Sequence, residues 1–176
     1  MEPALKPAVE LDKKGKILVM ATPVTLREKK FNNLIESIHG NSEIIKLPCP
    51  GLAEIIEKTG GKGQEVLDYL EKLLSSFDIK EVVAIVLGCT HYIFIREEIL
   101  RYVDDTVELI DGNRGTAEQL KRLLQKHDLQ NNNRDHKTTE VLLMNSDDSK
   151  ETLDLCKNLL EEQLKYLGWN GNLKYV

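Results

Sequence analysis

Val82-Val83-Ala84-Ile85-Val86-Leu87-Gly88-Cys89-Thr90-His91-Tyr92 decides the fold. Its first six residues are apolar without interruption, which predicts a fully buried strand over 82–87. Gly88 breaks the strand and lets the backbone turn tightly. A thiol, a hydroxyl and an imidazole then follow at consecutive positions. In an open α/β sheet, ligands bind in the crevice at the carboxyl ends of the strands. A cysteine is useful there because its thiolate is a good nucleophile or base, and a nearby histidine or helix N-terminus favours that form. The plainer alternative is a buried cysteine at a strand end beside a surface histidine, since free cysteine is among the most buried residue types.

Outward from this stretch, strands and helices alternate. Residues 16–21 predict an apolar strand, followed by a helix over about 26–38 with Leu26, Leu34, Ile35 and Ile38 at helical spacing. His39-Gly40-Asn41 supplies the stop. A strand over 43–47 ends at Pro48, and Pro50 opens a helix over 52–58. Thr59-Gly60-Gly61-Lys62-Gly63 reads as a loop, without the strand context that a phosphate-binding motif requires. A helix over 65–75 carries Val66, Leu67, Leu70, Leu73 and Leu74. A helix near 94–102, a strand over 107–111 and a helix over 116–126 continue the order. Alternation of this kind predicts a parallel sheet with helices on both faces, an α/β fold. Residues 128–138 are polar and read as a loop. Beyond them come a strand over 140–145, a helix capped within Ser146-Asp147-Asp148-Ser149 that runs through Leu153, Cys156, Leu159, Leu160 and Leu164, and a short strand over 173–176.

The chain has 176 residues, 41% hydrophobic and 30% charged, which suits a globular protein. A net charge of −5 argues against a partner among nucleic acids or anionic membranes. The apolar runs are too short to span a bilayer, and the N-terminal residues do not form a signal peptide. Three scattered cysteines, Cys49, Cys89 and Cys156, suggest free thiols in a reducing cytoplasm. No spacing of cysteines and histidines supports a metal site.

Leu87-Gly88-Cys89-Thr90-His91-Tyr92 resembles the second cysteine motif of the glutamate racemases, within the aspartate/glutamate racemase superfamily. Three further stretches agree in order and spacing. Lys16-Ile17-Leu18-Val19-Met20-Ala21-Thr22-Pro23-Val24-Thr25 resembles the strand and Thr-x-x-Thr loop that open that family's second domain. Cys49-Pro50-Gly51-Leu52-Ala53-Glu54-Ile55-Ile56-Glu57 resembles its Cys-Pro helix with a trailing glutamate. Val107-Glu108-Leu109-Ile110-Asp111, with the helix around Ala117, resembles the return to the first domain. The family's N-terminal portion carries an Asp-Ser glycine-rich loop, a Pro-Tyr-Gly segment and a first catalytic cysteine in an Ala-Cys-Asn-Thr motif. None of these is present here. The resemblance therefore implies the rear two-thirds of a racemase: one complete lobe plus an incomplete second. It places residues 1–112 in the central α/β domain with its joining segment, and 113–176 in the portion that completes the first domain. Elements of that portion are expected to carry exposed apolar surface, which favours self-association or a homodimer.

The family inverts the α-carbon of glutamate without a cofactor, supplying D-glutamate for peptidoglycan synthesis, with two cysteines on opposite faces of the substrate. The α-proton is a very weak acid, so desolvation and electrostatic stabilisation of the carbanion must lower much of the barrier. By resemblance, Cys89 is one of the two bases, His91 assists it, and Glu57 supports the histidine, with Glu54 the neighbouring candidate. Thr22, Thr25 and Thr90 would bind substrate. Ordinary helix capping before Leu26 is the competing reading for Thr22 and Thr25. Cys49, between two prolines, reads as structural, and Cys156 as core. His39, His127 and His136 sit in turns or loops without a partner at useful spacing.

Departures from the family are also visible. Ile93 follows Tyr92 where proline is usual, which could loosen the turn after Cys89, and Glu28 and Phe31 are atypical. With one of the two cysteines, the chain alone is expected to be inactive. Two alternatives stay open: another racemase of the superfamily, acting on aspartate or hydantoins, and a non-catalytic binding or interaction module.

Overall fold

Strand β3 (Val82–Leu87) is the predicted apolar run, and it lies inside a four-stranded parallel sheet. The computed structural model describes residues 1–130, 139–169 and 173–175. They fall into two compact units, 1–127 and 128–176. In the first unit, β1 (Lys16–Ala21), β2 (Glu43–Pro48), β3 and β4 (Glu108–Asp111) are arranged in the order β2-β1-β3-β4. From β1 the chain moves first to β2 on one side, then returns past β1 to β3 on the other. The connections thus diverge between β1 and β3, and their carboxyl ends frame a crevice there.

Side-chain alternation along the two central strands builds a core on each face of the sheet. Leu18, Met20, Ile85 and Leu87 point to one side, where they meet Leu52 and Ile56 of α4 (Leu52–Thr59) and Val66 and Leu70 of α5 (Gln64–Leu74). Ile17, Val19, Ala21, Ala84 and Val86 point to the other. There they meet Ala4, Leu5 and Ala8 of α1 (Glu2–Glu10), Leu26 of α2 (Pro23–Arg27) and Phe31 of α3 (Lys29–Ser37). Both faces of the sheet are covered, as the absence of polar residues in 82–87 requires.

Three local expectations are corrected. The helix expected over 26–38 is two helices, because Glu28 is extended (φ −61°, ψ 135°) and ends α2 before α3 begins. The helix expected near 94–102 is a 3-10 turn, Thr90–Ile95, leading into one helical turn, α6 (Arg96–Ile99). The first residues, which resemble the family's joining segment, are helical and form α1. Pro3 lies in the first turn, where no N–H is needed, and burial of Ala4, Leu5 and Ala8 outweighs the bond lost at Pro7. Helix α7 (Asn113–Lys126) starts three residues earlier than expected and packs on α1.

The second unit holds β5 (Thr139–Val141), α8 (Lys150–Tyr166) and β6 (Leu173–Tyr175), with β5 and β6 parallel. β5 is shorter than the strand expected over 140–145. The Ser149 hydroxyl accepts the Thr152 N–H at 3.3 Å and caps α8, as expected. No described residue of α8 is fully buried, and Leu142, Met144 and Leu167 are exposed. The expected loop lies outside the described residues from 131 to 138, His136 with it, as does Val176. No helix among the described residues is long and apolar enough to cross a membrane.

Candidate active site

Three strand ends are tied together at the crevice. The Gly88 N–H donates to the Met20 carbonyl at 2.7 Å, and the Cys49 N–H donates to the Ala21 carbonyl at 2.9 Å. Thr22, Cys49 and Cys89 therefore leave the ends of β1, β2 and β3 side by side. Gly88 is required for this closeness, since a Cβ there would stand 2.7 Å from the Met20 carbonyl oxygen.

Cys89 is half-buried, and its Sγ lies 3.8 Å from Nδ1 of His91. On the far side of the same ring, Nε2 lies 2.8 Å from Oε1 of Glu57. A carboxylate can only accept, so the proton of this contact belongs to Nε2. In the neutral ring Nδ1 is then the acceptor, facing the thiol. Glu57 stands in the last turn of α4, 34 positions before His91, and the packing of α4 on the 3-10 turn brings the two together. A relay thus runs from carboxylate to imidazole to thiol, open to water at the carboxylate end. Glu54, one turn earlier, is exposed and makes no hydrogen bond to this relay.

A pocket of about 180 Å³ opens beside Cys89. It is lined by Cys89 and Thr90 after β3, by Asp111 at the end of β4 with Asn113 and Thr116 beyond it, and by Met1. That volume suits a small metabolite better than a drug-sized ligand. Asp111, Asn113 and Thr116 were not singled out from the sequence. The signal that could have found them is the one used for Cys89: they lie at or just beyond the carboxyl end of a strand. Asp111 is held in place, with Oδ1 accepting the Asn113 N–H at 2.8 Å and Oδ2 lying 3.4 Å from Arg96. Thr22 and Thr25 are outside the pocket lining. Thr22 Oγ1 accepts the Thr25 N–H at 3.3 Å and the two hydroxyls are 3.0 Å apart, so both take part in the cap of α2.

Cys49 is buried and donates its thiol to the Leu47 carbonyl at 3.3 Å. Burial pushes this thiol up to about 12 from 9.0, and burial likewise pushes the Tyr69 phenol up to about 12. Burial raises Tyr92 too. In the unfolded chain these acids ionise first, so the folded state holds more protons at alkaline pH. Their contribution is intact below about pH 9 and is lost as pH rises from there toward 12. Urea titrations at successive pH values should show stability falling across that window, and Tyr69→Phe should flatten the fall. An unchanged slope in that variant would exclude Tyr69 as a contributor.

With the geometry in place, comparison with known proteins is direct. No family model matches the chain. The glutamate racemase of Clostridium novyi is 52% identical over 160 residues, covering 91% of this chain and 61% of that protein. The chain is a relative of the glutamate racemases. A second glutamate racemase, from Clostridium acetobutylicum, is 47% identical over 161 residues, covering 92% of this chain and 62% of its own length. Among solved structures, the glutamate racemase of Francisella tularensis in complex with D-glutamate superposes with a TM-score of 0.72 at 26% identity, covering 98% of this chain and 62% of that one. The chain thus spans about three-fifths of the length of the glutamate racemases it matches.

Proposed function

We propose that this chain carries one acid/base half of a cofactor-independent glutamate racemase. The observation that carries the reading is the Glu57–His91–Cys89 relay at the rim of a metabolite-sized pocket. Glu57 holds the proton of His91 on Nε2, which leaves Nδ1 to take the thiol proton. The Cys89 thiolate then removes the α-proton of glutamate and becomes a thiol again. The electron pair left on the α-carbon spreads into the substrate carboxylate, and return of a proton from Cys89 restores the same enantiomer. Inversion needs a second acid on the opposite face. Thr90 at the pocket, with Thr22 and Thr25 at the neighbouring strand end, would bind the substrate's polar groups. Free cysteines fit a cytoplasmic setting, and the exposed apolar residues of the second unit fit self-association or a homodimer.

The test is to incubate L- and D-glutamate separately with the chain in deuterated water and follow the α-proton by NMR. Deuterium should enter one enantiomer without inversion. Racemisation by the chain alone would show that a second acid/base group is already present and would overturn the one-cysteine reading. If neither enantiomer exchanges while glutamate still binds, the binding-module reading replaces it.

A further inference from the structure

The 3-10 turn Thr90–Ile95 carries His91, and α4 and its flanking turns grip it at three places. In the middle, Glu57 meets His91. At one end, the fully buried Tyr92 donates its hydroxyl to the Cys49 carbonyl at 3.3 Å, just before α4 begins. At the other end, Gly61 packs against the backbone of Phe94 so closely that a Cβ would stand 2.7 Å from the Phe94 carbonyl oxygen. Gly61 is the second residue of a left-handed pair that closes α4. Gly60 (φ +67°) and Gly61 (φ +78°) both turn their N–H groups to the Ile56 carbonyl. Tyr69 of α5 adds a hydrogen bond to the Pro50 carbonyl at 2.9 Å, fixing the turn from which α4 starts.

We propose that Gly61 and Tyr92 are positioning residues that lock the His91 turn against α4 and thereby hold the Glu57–His91 hydrogen bond. The inference deepens the acid/base reading of Cys89 and rests on it for its catalytic meaning. The physical reason is leverage. A carboxylate in the last turn of one helix can fix an imidazole on a separate turn only if the two backbones cannot slide. The missing side chain of Gly61 sets the distance beyond Glu57 along α4, and the Tyr92 hydroxyl on the Cys49 carbonyl sets it before α4 begins. In this chain Ile93 stands where a proline would stiffen the turn by its own ring, so the restraint comes from α4 instead.

Gly60 provides a matched control. Gly60→Ala imposes a left-handed strain like that of Gly61→Ala, but a Cβ at Gly60 meets nothing within 4 Å. The readout is the ring-nitrogen NMR spectrum of His91 in the full chain, assigned among the four histidines with His91→Gln. It is paired with the rate at which iodoacetamide alkylates Cys89. Gly61→Ala should lose the Nε2-protonated signature held by Glu57 and slow Cys89 alkylation, while Gly60→Ala keeps both. Tyr92→Phe, which removes one buried hydrogen bond, should slow alkylation by up to about tenfold and serves as the second variant if Gly61→Ala does not fold. The proposal is overturned if Gly61→Ala matches Gly60→Ala, or if Tyr92→Phe leaves the His91 signature intact. Neither readout requires turnover of glutamate, so a failed exchange assay and a failed lock are separate results.

Discussion

Cys89→Ser is expected to slow α-proton exchange from glutamate by about 10²–10⁴-fold, the range that a positioned acid/base group contributes. A serine hydroxyl at this place keeps the size and the hydrogen bond but not the acidity. Imidazole Nδ1 can take the proton of a thiol, whereas an alkoxide next to it is far too strong a base to form in equilibrium. No other thiol can substitute: Cys49 is 1% exposed and its hydrogen is committed to the Leu47 carbonyl. Cys156, on α8, is not among the residues that line the pocket beside Cys89, so Cys156→Ser should exchange at the parent rate. Loss of the α-proton NMR signal in deuterated water measures both. Equal rates for Cys89→Ser and the parent chain would remove Cys89 from the chemistry.

The second large effect concerns stability. Ile85 sits at the centre of β3, fully buried, opposite Leu18 on one flank and Leu109 on the other. Ile85→Ala is expected to cost about 2–5 kcal/mol, from lost transfer energy together with the cavity left in a sheet that cannot close over it. Val83, which an irregularity in the β1–β3 pairing turns toward the other core, is only half-buried, and Val83→Ala should cost clearly less. Urea unfolding of the two variants decides the point. Similar costs would mean that β3 is not gripped between two packed faces.

Much of this architecture is legible in the residues. The unbroken apolar run of β3 cannot be an exposed strand, and its alternation with helical patterns leaves little besides a parallel sheet covered on both sides. Cys89 and Thr90 are legible for the same reason, being the first polar residues after a buried strand. Helix α1 is not, because Pro3 and Pro7 suggest an irregular segment and only tertiary burial of Leu5 makes the helix worthwhile. The 3-10 turn at Thr90–Ile95 escapes as well. Its apolar residues Tyr92 and Ile95 fit a helix period, and the turn that places them depends on Gly61, far away in sequence. Glu57 is legible only through resemblance, since nothing local in α4 marks one exposed glutamate above another.

The strand order has a kinetic consequence. Lys16 of β1 pairs with Val82 of β3, so the central ladder joins segments more than sixty residues apart. Parallel pairing over such a distance closes a long loop before it gains contact energy, which makes it slow to form. The chain between the two strands, which carries β2, α4 and α5, forms the long loop that closes when β1 and β3 meet. Cys89 and His91 are neighbours along the chain from the start, whereas Thr22 and Glu57 are strangers to them for most of the folding time, and the thiol and its imidazole gain these distant companions only as the long-range contacts close.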